Sequence, residues 1–87
     1  MTMARILTRA QAGNATLVLV ETFHEKRPGE MRGKYRLRTA VLSHDGTMTE
    51  TKPIGDDPDG IENASQDALE RAYGEYYARL DELKKGQ

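Results

Sequence analysis

Lys34, Arg36 and Arg38 stand at alternate positions of a strand-like run, and Lys26, Arg27 and Arg32 precede them in the stretch "EKRPGEMRGKYRLR", residues 25–38. Basic groups at that spacing can track phosphates, and a small sheet fits the major groove of DNA. Arg27, Arg32, Lys34, Arg36 and Arg38 are therefore candidate nucleic-acid-binding residues. Two features oppose that use: Glu25 and Glu30 dilute the run, and a pI of about 6.1 is far below the value above 9 expected of an electrostatic binder. Basic residues alternating along a strand are also what the solvated face of an antiparallel sheet carries.

The acidic run "DDPDGIEN" suggests calcium, but setting Gly60 at the sixth position of an EF-hand loop puts Gly55 at the first and Gln66 at the twelfth, where carboxylates are needed. A polar turn leading into a helix is the simpler reading. The two histidines, His24 and His44, lack a third ligand, and no serine sits in a nucleophile motif. Without cysteine there are no disulfides and no thiolate chemistry. No glycine-rich phosphate loop is present, because "GDDPDG" would repel phosphate. The expectation is a non-enzymatic protein that needs no cofactor and no metal.

A second surface comes from the C-terminal third. Asp67, Glu70, Glu75 and Asp81, with Tyr77 at the margin of the apolar stripe, are the candidate protein-binding residues. Acidic groups around an exposed tyrosine suit a partner whose own site is built for nucleic acid. The charge of the chain divides the same way. Through His44 there are eight Lys/Arg against three Asp/Glu, and from Asp45 onward five against eleven, so halves of +5 and −6 make up the net −1. Such asymmetry points to a charged partner.

The elements that must position these groups follow from periodicity. Met3–Ala10 reads as a first strand, ending in the turn-forming "QAGNA". Ala15–His24 is a second strand, with Leu17 and Leu19 to one side and Val18 and Val20 to the other. Lys34–Ser43 alternates Tyr35, Leu37, Thr39 and Val41 against Lys34, Arg36 and Arg38. Asp45-Gly46 supplies a two-residue hairpin turn, and Thr47–Lys52 returns as an edge strand ended by Pro53. From Leu69 the period becomes helical through Tyr73, Tyr76, Leu80 and Leu83, with Ser65 or Asn63 as the cap and Gly74 marking a close backbone approach.

These 87 residues predict one α+β domain: a four-stranded antiparallel meander over 3–54, an acidic loop over 55–63 and a helix over 64–85 lying on one face. One helix covers one face only, so the doubly apolar second strand predicts a homodimer. "GKYRLRTAVLSHDG" followed by "ALERAYGEYYARL" resembles the sheet-then-helix order of three-stranded DNA-binding modules, such as plant AP2-type domains and the arm-binding domains of phage-type integrases. The tryptophans of AP2-type strands are absent, and the resemblance carries over no functional residue. Neither a signal peptide nor a membrane span is legible, so a soluble cytoplasmic protein is expected. The size is that of many phage and mobile-element proteins, including inhibitors of host defence such as anti-CRISPR proteins. Protein binding is the leading expectation and nucleic-acid binding the alternative.

Overall fold

The computed structural model describes residues 3–86. Four strands, β1 (Ala4–Ala12), β2 (Ala15–His24), β3 (Lys34–Leu42) and β4 (Met48–Pro53), pair antiparallel in the order β1-β2-β3-β4. One helix, α1 (Gln66–Lys85), packs on the sheet. This is the expected α+β meander and helix. Among the described residues no helix is long and apolar enough to cross a membrane.

β1 and β2 meet through Gly13-Asn14, with Gly13 at φ 62° in the first position of a two-residue turn, where its missing Cβ permits the mirror-image geometry that matches strand twist. The β3–β4 link differs from the expected two-residue turn. Gly46 donates to the Ser43 carbonyl (3.0 Å) and Ser43 to the Thr47 carbonyl (2.9 Å), leaving His44, Asp45 and Gly46 as a three-residue connection in which only Gly46 is left-handed. The Asp45 carboxylate explains this. It accepts from the Ser43 hydroxyl and from the Thr47 N–H, locking a tight turn with Asp45 at ordinary φ and its own pKa lowered to about 2.

The helical period of α1 meets the two-residue period of the strands in the main core. Leu17 and Leu19 from β2, Leu37 from β3, and Ile54 pack with Ala72, Tyr76 and Leu80 of α1. Tyr76 is fully buried, and its hydroxyl donates to the Leu17 carbonyl at 2.7 Å, so the one polar atom of the ring enters the core with a partner. Ser65 caps the helix by accepting from the Ala68 N–H (3.1 Å). Asn63, the alternative cap, is used elsewhere, donating to Glu21 at 2.6 Å.

The opposite side of β2 is also closed. Val18 and Val20, with Ala40 of β3, are 0%, 2% and 1% exposed, and Ile6 and Leu42 pack against them. No helix covers this side, yet a single chain removes it from water. The burial that led to the expectation of a second copy is thus satisfied internally, and this side of the sheet gives no reason for a homodimer. Gly74 differs as well: a Cβ built there meets nothing within 4 Å, so no close approach among the described residues accounts for it.

Past β4 the chain leaves the sheet and comes back to it. Ile54 donates to the Leu37 carbonyl (3.1 Å), Leu37 to the Ile61 carbonyl (3.0 Å), and Asn63 to the Tyr35 carbonyl (2.8 Å). Residues 61–63 therefore take the place at the β3 edge that β4 gives up. Gly60 makes the return geometrically feasible: its φ is 95°, and a Cβ there would stand 2.1 Å from the Leu37 oxygen. Glu50, at φ 50°, sits where the β3–β4 register shifts, a bulge that sequence reasoning does not anticipate.

Candidate functional site: a neutralised basic strand and an open helix face

The return of the chain lays the acidic loop on the basic strand. Arg36 and Arg38 occupy the β2 register opposite Thr22 and Val20, on the Val18/Val20 side of the sheet. Arg36 is 5% exposed. Its Nη1 donates to the Gly60 carbonyl (2.9 Å) and to Asp57 Oδ2 (3.2 Å), and its Nη2 lies 3.7 Å from Glu30. Arg38 donates to the Asp59 carbonyl (3.2 Å) and contacts the His24 ring nitrogen (3.4 Å). Arg27 forks onto both Asp57 oxygens (2.8 and 3.0 Å) and also reaches Asp59. Lys34 pairs with Glu30 at 2.7 Å and with Glu62 at 3.9 Å. Of the five candidate nucleic-acid residues, Arg32 alone is exposed and, among the described residues, without an ion pair. Among the described residues, three buried polar atoms have no hydrogen-bond partner, and all three, Thr22 Oγ1, Arg36 Nε and Arg38 Nε, belong to the same side.

The electrostatics follow this geometry. Arg27 and the Asp59 N–H hold the Asp57 carboxylate well below the usual range, and Arg27 likewise lowers Asp59. Glu30 is lowered by Lys34 and by the Arg27 N–H. The same carboxylates push the Arg27 guanidinium further up. For a carboxylate depressed in the fold, the unfolded chain binds more protons in acid, so the stabilisation is present above the unfolded pKa and lost as pH falls below it. Urea midpoints are expected to stay level from neutral pH to about 5 and then fall steeply toward pH 2.5. Asp57→Asn should flatten part of that limb. A midpoint unchanged between pH 5 and 2.5 would show that the loop does not grip the arginines.

The outer face of α1 is organised in the opposite way. Tyr77 is 55% exposed, resting edge-on against Tyr76 (centroids 5.4 Å apart) and beside Tyr73. Asp67, Glu70 and Asp81 are exposed, and none of the three forms an ion pair among the described residues. Glu75 is the exception among the candidate protein-binding residues. It turns inward to accept from the Gly55 N–H (3.3 Å) and pairs with Arg71 and Arg79. Arg79, singled out by no sequence signal, ties α1 to the sheet by donating to Thr39 Oγ1 (2.7 Å) and the Pro53 carbonyl (2.8 Å). At helical spacing Asp67, Glu70, Gly74, Tyr77 and Asp81 recur at alternating intervals of three and four, so four of the five expected residues share one stripe with Gly74 at its middle.

No protein-family model matches the chain, and no curated protein or solved structure matches it either.

Proposed function

We propose that this is a small, non-enzymatic protein-binding module of the cytoplasm, docking through the outer face of α1. The observation that carries the reading is Tyr77: a largely exposed aromatic ring, set among Asp67, Glu70 and Asp81, none of which forms an ion pair among the described residues, on the exposed face of α1. Tyrosine buries a large area for little lost side-chain freedom, and flanking carboxylates select and steer a basic surface. The partner that fits is a protein whose positively charged groove serves nucleic acid, blocked by carboxylates in place of phosphates. An inhibitor that a phage or mobile element directs at a host nucleic-acid-handling system, such as an anti-CRISPR protein, would fit a surface of that kind.

The nucleic-acid alternative loses its main support, because Arg27, Lys34, Arg36 and Arg38 already face carboxylates or carbonyls of their own chain. Capture from the native host followed by reconstitution with the purified partner tests the docking face. Tyr77→Ala and Asp81→Arg should each weaken binding at least tenfold, while Arg32→Ala leaves it within about twofold. Binding indifferent to both helix variants would overturn the assignment.

A further inference from the structure

The same helix face is complementary to itself. Asp67, Arg71, Gly74, Ala78, Asp81 and Lys85 recur at alternating intervals of four and three, which places them along the centre of the exposed side of α1, opposite buried Ala72, Tyr76 and Leu80. If a second α1 is laid antiparallel across this line, with the two-fold axis level with residue 76, Asp67 meets the partner's Lys85, Arg71 meets the partner's Asp81, and Gly74 meets the partner's Ala78. Two-fold symmetry repeats each contact, so every charge on the line faces its opposite. Glu82, beside the line, falls near the partner's Arg71, and Glu70 falls between the partner's Asp81 and the partner's Lys84.

We infer that a second copy of the chain docks here, forming an antiparallel helix-to-helix homodimer closed by the Asp67–Lys85 and Arg71–Asp81 pairs. The inference rests on the docking face assigned above, with charge complementarity naming one occupant. Gly74 gains a role in this arrangement. Mid-helix glycine is destabilising relative to alanine, and among the described residues nothing outside the helix's own turn lies within 4 Å of its missing Cβ. With Ala78 it lets two backbones come within the roughly 8 Å that larger side chains forbid. Tyr77 then lies beside the axis, next to its own symmetry mate. The existing Lys85–Glu82 pair is exposed and weak, and Arg71 is the exposed partner of a half-buried Glu75 that keeps Arg79 when Arg71 turns away, so the exchange across the interface costs little. The dimer and a basic partner protein would occupy the same face and exclude one another.

Sedimentation equilibrium of the full chain at low salt, over a concentration series up to about 1 mM, tests this. The mass should rise from 9.8 kDa toward twice that value, and added salt should weaken the association as screening shortens the reach of the pairs. Arg71→Asp or Asp81→Arg alone should raise the dimer Kd at least tenfold. The double variant Arg71→Asp/Asp81→Arg should return it to within about threefold of the original. Gly74→Leu should abolish the dimer while circular dichroism and melting show a fully folded chain. A mass fixed at 9.8 kDa throughout, or a double variant no better than the singles, overturns the proposal. Failure of the docking-face reading looks different: the charge swap rescues self-association but cannot rescue capture of a foreign basic protein, so the two outcomes separate.

Discussion

Tyr76→Ala is expected to cost about 3–5 kcal/mol, the range for deleting a fully buried aromatic side chain. A domain of this size holds about 5–15 kcal/mol in total, so the variant should melt tens of degrees lower or fail to fold at ambient temperature. The expectation rests on position. Tyr76 is fully buried between α1 and β2 and is among the largest fully buried side chains of the described residues. Tyr76→Phe separates shape from polarity: it keeps the ring and removes only the hydroxyl that donates to the Leu17 carbonyl, so it should cost about 1 kcal/mol. Burial raises the pKa of this phenol, so its contribution is complete below the unfolded value near 10 and declines above it; the Phe variant should lose part of the alkaline destabilisation. Chemical denaturation of both variants checks the pair. An alanine variant within 1 kcal/mol of the parent would mean that the helix is not seated on β2.

Arg36→Ala carries the second large effect, about 2–4 kcal/mol, which is unusual for a surface-strand arginine and follows from its 5% exposure. Removing the guanidinium leaves the Gly60 carbonyl buried without its donor and leaves Asp57 facing Arg27 alone. Arg36→Lys should recover less than half of the loss, since one ammonium on a flexible stem cannot reproduce the planar fork. Arg32→Ala, at an exposed position in the same basic run, should stay within about 0.5 kcal/mol. Urea titration of the three variants checks the order. Equal, small effects for Arg36 and Arg32 would mean that both arginines are solvated.

The strands and helix were legible because their signals are local. The Leu17–Val20 run, the alternation from Tyr35 to Val41 and the three-and-four spacing from Leu69 to Leu83 each need only a short window, and all three lie in the expected elements. The fate of the charges was not legible. Arg36 and Asp57 are 21 residues apart and Arg27 and Asp59 are 32 apart, and no short-range pattern says which pairs will meet. One signal was available in the opposite charges of the two halves, but an external partner and an internal one predict the same imbalance. The glycine at position 60, alone able to approach the Leu37 carbonyl, decides in favour of the internal one. Closure of the Val18/Val20 side was hidden for a related reason: it depends on Ile6 and Leu42 packing from neighbouring strands, which alternation within β2 cannot reveal. Among the acidic residues, Glu75 looked equivalent to Glu70 until the loop brought Gly55 beside it.

That the positive charge of β3 is already spent inside the chain is tested most directly by titrating the protein against random-sequence duplex DNA and single-stranded RNA at low salt, then stepping the salt upward. The expected result is no binding at micromolar protein, with Asp57→Asn/Asp59→Asn acquiring weak, salt-sensitive binding as Arg27 and Arg36 lose their carboxylates. Micromolar or tighter binding by the unaltered chain, falling steeply with salt and lost on changing Arg36 and Arg38 to alanine, would contradict it.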